Sequence, residues 1–400
     1  MSVPHAPIGK VASFNPSPPK GSLSSIDEVA FVPMAAISED GSMAVREHKP
    51  GAALSNGYSY FQTGDVLVAK ITPCFENNKI AVARIDREHG FGSTEFHVIR
   101  PSTSELDARY LAYFLRQDSV RELGQKRMTG SAGQRRVPRQ FLENLEIPLP
   151  PPGEQRRIAA ILDQADALRL QRRQALEFLD DLPSKIFAEN FGDLISNDMG
   201  WPVVSVRQFV RGFQSGKNLV SDDKDDPNAQ FRVLKVSAVT SLSFKPEESK
   251  ALPVNYNPPV NHLVAQGDLL FSRANTSDLI GATAFVDHDV HNVVLPDKLW
   301  RFVWFDDGRV EPLFVWFLFR QRGFRDQISR RATGTSGSMK NIPQEKVLDI
   351  SVGFPPFPSQ QEFARQLNEI RATRKSHEAQ FHQLDNLFAS LQHRAFRGEL

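Results

Sequence analysis

Two stretches of the chain carry apolar residues at helical spacing. From Glu154 onward, Ile158, Ala165, Arg172, Leu179 and Ile186 recur every seventh position, and Ile161, Leu168, Ala175 and Leu182 fill a second stripe. This is the a/d seam of a helix that pairs with another, marred by Arg172. Pro183 predicts a kink or a restart. The uninterrupted piece, Glu154–Leu182, would be roughly 43 Å long at about 1.5 Å per residue. A second seam runs from Ser359 to Phe396: Phe363, Ile370, His377, Leu384 and Leu391, widened by Leu367, Arg374, Phe381 and Phe388. Each stripe is interrupted (Arg172, His377), so neither helix should be stable alone in water. We expect the two to pack on each other as a coiled coil. Antiparallel pairing would send the remaining domains to opposite ends, and parallel pairing would set them side by side. The seams alone leave both open.

The rest of the chain alternates on a shorter period. Asp65–Ile71 and Lys79–Ile85 read as strands between turn residues, and residues 1–150 as a mixed, mostly β domain. Pro4, Pro7, Pro16, Pro18 and Pro19 suggest an extended N-terminal arm. A helix is expected over Leu106–Leu123, started by Ser104 with Asp107 in its first turn. A loop of small residues, Thr129–Gln134, leads to Arg135-Arg136-Val137-Pro138, and Pro150-Pro151-Pro152-Gly153 is a rigid stop. From Trp201-Pro202 the order repeats. A Gly267-Asp268 strand precedes an aromatic helix around Leu313–Ile328. The small-residue loop Thr333–Ser338 follows, then Met339 and Lys340-Asn341-Ile342-Pro343.

The repetition is long-range. Gly64-Asp65-Val66-Leu67 returns as Gly267-Asp268-Leu269-Leu270, 203 positions later. Arg116-Gln117 returns as Arg320-Gln321 after 204, and Gln155 and Phe191 return as Gln360 and Phe396 after 205. An offset that creeps by single residues marks a tandem duplication of one two-part module. The expected fold class is α+β: two tandem β-rich domains (1–150 and 197–357) and two long helices (151–196 and 358–400) with a pseudo-twofold internal repeat. Two equivalent surfaces suit a bipartite partner, such as DNA with two half-sites. Of the two helix pairings, the antiparallel one is the more useful geometry for a reader of two separated DNA segments.

Composition narrows this only slightly. The net charge of +1 means that any basic surface is local. A single cysteine, Cys74, excludes an internal disulfide and fits a reducing cytoplasm. Its neighbours Pro73 and Phe75 suggest a packed thiol. No stretch reads as a signal peptide or a membrane span.

The chain shows no catalytic constellation. Asn257-Pro258-Pro259-Val260 lacks the aromatic fourth residue that would stack on a flipped base. No phosphate-binding glycine loop is present. Asp222, Asp223, Asp225 and Asp226 lack calcium-loop spacing and read as a solvated loop. Asp65, Glu76 and Lys79 lack the Glu-x-Lys spacing of a nuclease core. His288 and His291 have no further ligand nearby and read as surface residues.

Taken in order, these motifs resemble the specificity subunit of type I restriction–modification enzymes. The features that carry the resemblance are the Gly-Asp-[Val/Leu]-Leu strand, the aromatic helix, the small-residue loop, the basic residue before [Val/Ile]-Pro, the Pro-Pro stop with Gln and the long helix. Ile147–Gln155 and Ala395–Leu400 are the most telling segments. The resemblance spans essentially the whole chain. It implies two target-recognition domains, each reading one half of an interrupted DNA site. The long helices would act as a spacer and as docking sites for two modification (methyltransferase) subunits. Restriction subunits, where present, would add ATP-driven translocation and cleavage. The chain itself would be non-catalytic and hold no cofactor, with S-adenosylmethionine and ATP expected only in partner subunits. Two other readings are a coiled-coil protein-binding scaffold that does not contact DNA, and a recognition domain cut from a larger fused enzyme. The lack of a catalytic segment and the terminal motif argue against the latter.

Base edges and phosphates call for Arg, Lys, Asn and Gln on loops. In copy one the candidates are Lys70, Asn78, Lys79, Arg135 and Arg136. In copy two they are Arg273, Asn275, Lys298, Lys340 and Asn341. Lys70 and Arg273 correspond, as do Arg135 and Lys340.

Overall fold

The computed structural model describes residues 3–18, 28–45, 47–54, 57–102, 104–131, 133–219, 229–241, 243–306, 308–334 and 340–400. Asp222–Asp226, Thr335–Met339 and Ala132 lie outside them. The chain divides into two units, Met1–Glu177 with Ser376–Leu400, and Phe178–Lys375.

Each unit is built on an antiparallel four-stranded sheet. In the first the order is Ala12–Phe14, Phe96–Pro101, Val66–Ala69, Ile80–Val82. In the second it is Val210–Ser215, Leu299–Trp304, Leu269–Ser272, Thr283–Phe285. The orders match strand for strand. The Gly-Asp pair that starts the third strand explains part of its own recurrence. Gly64 and Gly267 sit at φ of 93° and 91°, a left-handed conformation that a side chain would strain. Asp65 accepts two hydrogen bonds from Arg100, and Asp268 accepts one from Arg301.

Short helices cover one face of each sheet. The expected helix over Leu106–Leu123 is two, Ala108–Leu115 and Asp118–Arg127, and its counterpart is also two, Pro312–Arg320 and Arg322–Arg331. The break falls at the repeated Arg-Gln. It turns the first helix's apolar face, Tyr110–Leu115, into the core while the second, polar helix lies over the edge. Asp107 is the N-cap, bonding the amides of Arg109 and Tyr110, rather than a first-turn residue. The N-terminal segment is not a free arm. Residues His5–Pro7 pair with Glu146–Pro148, and Ile8 and Val11 are buried in the core.

The long helices span Pro152–Phe191 and Phe357–Ala395. The first runs through Pro183 without a break. Its last turns are anchored there by Phe187 and Phe191, buried among Phe314, Phe317 and Phe363. That packing outweighs the one hydrogen bond Pro183 cannot donate. Within each unit the helix segments run antiparallel. In the first, Arg169 pairs with Asp385 at 2.6 Å. In the second, the repeat-equivalent Arg374 pairs with Asp180 at 2.6 Å. The two seam defects answer each other: Arg172 Nη1 lies 3.1 Å from Nδ1 of its own counterpart, His377. The heptad pattern misplaces Leu168, which is 51% exposed. Arg169 takes the inward place instead, its guanidinium 4.4 Å from the Phe388 ring centroid.

The repeated glutamine fixes helix to domain in both units. Gln155 donates to the carbonyls of Glu105 and Pro150 and accepts from the Asp107 amide. Gln360 donates to Pro355 and accepts from Glu311. Both are fully buried, so each satisfies groups that would otherwise be left unpaired.

Candidate nucleic-acid interface

The two candidate segments of each copy, over 60 residues apart in sequence, meet at the end of the central strand. In copy one the Lys70 amide donates to Glu95 O (2.9 Å), and Lys70 O accepts from the Val137 amide (2.8 Å). Ile71 bridges Arg136, and the Thr72 amide donates to Arg135 O. In copy two the Arg273 amide donates to Lys298 O (3.1 Å), and Arg273 O accepts from the Ile342 amide (3.0 Å). Ala274 and Asn275 then pair with Asn341 and Lys340. The small-residue loops close on the same frame. Thr129 and Arg136 exchange two backbone hydrogen bonds, as do Thr333 and Asn341.

The backbone frame is therefore common to both copies, and the side chains on it differ. In copy one Arg136 forms a two-pronged pair with Glu95, at 2.9 and 2.8 Å. That hydrogen bonding holds the Glu95 carboxyl below its ordinary pKa and the Arg136 guanidinium above its own. The residue equivalent to Glu95 is Lys298, and it is exposed. Asn341 replaces Arg136. Copy one thus pairs Arg136 with Glu95, whereas copy two pairs Arg273 with Asp297 at 3.9 Å and leaves Lys298 exposed. Arg273 Nε donates to Asp297 O at 2.7 Å, which leaves its guanidinium a third exposed beside Trp300. Lys340 and Asn275 lie half-buried on the paired strands.

Other candidates turn towards their own domain. Asn78 adopts φ 60° and donates to Glu39 O, and Lys79 donates to Met34 O. Arg135 reaches the carbonyls of Gln125 and Met128 at the end of helix Asp118–Arg127. Asp65 and Glu76 also have separate partners, Arg100 and Thr72. Asn257-Pro258-Pro259 leads into an exposed turn in which Val260 is 84% exposed. His288 and His291 are exposed beside Asp287 and Asp289. Cys74 is half-buried against an apolar cluster.

The sequence reading passed over Glu95 and two basic pairs that precede the small-residue loops. Glu95 gave no signal, because its role depends on Arg136 across the fold. Lys126-Arg127 and Arg330-Arg331 end the second short helix of each copy, just before the loop. Their recurrence after 204 positions was visible in the sequence. As cations at a helix C-terminus they also suit its dipole.

Comparison with known proteins bears on this geometry. The family model for the Type I restriction modification DNA specificity domain matches residues 13–177. The chain is 27% identical over 424 residues to the Type I restriction enzyme EcoEI specificity subunit of Escherichia coli, covering 82% of this chain and 71% of that protein. It is 43% identical over 157 residues to the EcoAI specificity subunit of Escherichia coli, covering 38% of this chain and 26% of the other. A chain from a solved type I R-M system superposes over 100% of this chain and 98% of its own, with a TM-score of 0.59 at 18% identity, which shows a shared fold. Residues 13–177 thus match the type I DNA specificity domain, and along most of its length the chain is similar to type I specificity subunits and shares their fold. No helix among the described residues is long and apolar enough to cross a membrane.

Proposed function

We propose that each turn frame reads one half of a bipartite duplex site, and that the long helices serve as spacer and as docking surface for two methyltransferase subunits, with restriction subunits joining where present. The observation that carries this reading is one backbone frame bearing two different sets of side chains. Lys70, Arg136 and Glu95 stand where Arg273, Asn341 and Lys298 stand in the other copy. Reading two unlike half-sites requires a constant scaffold with variable donors and acceptors. Arg273, Asn275, Lys298, Lys340 and Asn341 form the reading set of copy two; Lys70 and Arg136 form that of copy one, with Arg135 holding the small-residue loop to the helix before it. Asn78 and Lys79 brace the set of copy one.

The test is Arg273→Ala in gel-shift titrations against duplexes altered in one half-site at a time. The expected loss is roughly 1–3 kcal/mol, with discrimination relaxed at one half only. Equal affinity and unchanged discrimination at both halves would remove copy two's frame from the interface. Co-purification with a methyltransferase subunit separates this reading from a scaffold that never meets DNA.

A further inference from the structure

The two copies part ways where the short aromatic helix meets the long helix, and the difference leaves one arginine with no acidic partner among the described residues. In the first unit Arg116 pairs with Asp166 at 3.1 Å, and Asp166 also holds Arg169 at 2.8 Å. Arg116 corresponds to Arg320 and Asp166 to Arg371. Where copy one has a carboxylate facing the arginine, copy two has a second arginine. The charge has moved: exposed Arg84 corresponds to Asp287, which pairs with Arg371 and not with Arg320.

The guanidinium of Arg320 makes no hydrogen bond or ion pair with any described residue. Its contacts are ring faces, at 4.5 Å from Trp316 and 5.4 Å from Phe317. Arg371 lies 5.5 Å from the same Trp316 ring. An indole thus holds two cations near each other. Ring faces offset part of the charge but accept none of the five N–H donors of a guanidinium. Burial, and next the positive charge of Arg371, push the Arg320 pKa below the ordinary arginine value. Both arginines line a cavity of about 480 Å³ whose wall also carries Arg374, Asp180 and Asp287. Asp287 pairs with Arg371 and Asp180 with Arg374, and among the described residues no carboxylate pairs with Arg320. The equivalent cavity of the first unit, about 330 Å³, is lined by Arg109, Arg116 and Arg169 already matched to Asp163 and Asp166.

We propose that the cavity of the second unit is an oxyanion site, taking a phosphate-class anion between Arg320 and Arg371. A planar fork of donors matches phosphate oxygens, and an anion there supplies the charge that Asp166 supplies in copy one. The inference does not depend on how the turn frames read DNA. Two sources carry this chemistry, a small free phosphate and a backbone phosphate of bound duplex.

The test uses the full chain and inorganic phosphate at constant ionic strength, followed by titration calorimetry and thermal unfolding. The expected result is saturable binding at one site per chain and a phosphate-dependent rise in Tm. Arg320→Gln and Arg371→Gln should each weaken binding by about tenfold or more. Arg116→Gln should leave it unchanged. The paired exchange Asp287→Arg with Arg371→Asp installs copy one's arrangement. It should fold, keep or raise Tm without phosphate, and lose the phosphate response. Repeating the titration with duplex present distinguishes the sources: competition assigns the site to the DNA backbone, and additive binding assigns it to a free anion. Binding of equal strength in Arg320→Gln and the paired exchange, or no saturable binding to the unaltered chain, would overturn the proposal.

Discussion

The two helix–domain junctions solve one geometric problem with different chemistry. In the first unit the Tyr113 hydroxyl donates to Asp163 at 2.8 Å, Arg109 pairs with the same carboxylate, and Gln392 donates to Tyr113 O. Burial, and then the bond to Asp163, push the Tyr113 hydroxyl above the ordinary tyrosine pKa. In the second unit the corresponding positions are Phe317, Leu313 and Phe187. The Phe187 ring lies 5.1 Å from Phe317 and 5.4 Å from Phe363. The glutamine clamp and the strand order are shared. A duplicated fold therefore keeps what sets its register and lets the filling drift, from hydrogen-bonded polar groups in one unit to packed rings in the other. The turn frames follow the same rule: the backbone pairing is kept and the side chains on it differ.

The sharpest way to break this contrast is to truncate each junction. Phe187→Ala should cost roughly 3–5 kcal/mol in denaturant unfolding, as large core aromatics do. Gln392→Ala, at the equivalent position, should cost roughly 1–3 kcal/mol for a lost buried hydrogen bond. Equal costs would mean that the junctions are not chemically distinct. The turn frames offer a charge-transfer test. Glu95→Lys gives copy one the charge of Lys298 and frees Arg136. It should tighten non-specific duplex binding and steepen its salt dependence by about one to two units of slope. Lys340→Ala should do the reverse, lowering the slope by about one unit on every sequence. An unchanged slope in both would place the frames away from phosphates.

The smallest effect is in pH. His97 is buried under copy one's frame, its Nε2 2.9 Å from Val137 O. Burial lowers its pKa, with Lys70 and Arg139 adding to that and the Val137 bond and Glu143 opposing it. The unfolded chain takes up this proton near 6.5, and the folded chain only at lower pH. Its contribution is complete above the unfolded value and is lost as pH falls from there through the folded one. The counterpart in copy two is Trp300, which does not titrate. Hydrogen exchange should therefore show the first unit loosening in mild acid before the second, and His97→Phe should remove the difference. Simultaneous loosening of both units in the unaltered chain would assign the acid response elsewhere.

The sequence by itself determined the repeat, the two long helices and the turn segments of each copy. Those are properties of order along the chain: a seven-residue period, a glycine that must turn and a proline stop. Tertiary structure decided which way each element faces and which charges remain available. Nothing local marks the Arg116-Gln117 break, because an apolar face and a polar helix meet there only once the sheet is beneath them. Pro183 reads as an interruption until Phe187 and Phe191 are buried beyond it. Arg172 and His377 read as defects until antiparallel pairing sets each against its equivalent. Arg136 reads as a free cation until Glu95, 41 residues away, neutralises it. Periodicity is written in neighbouring residues; burial and charge pairing depend on partners that only the folded chain brings within reach.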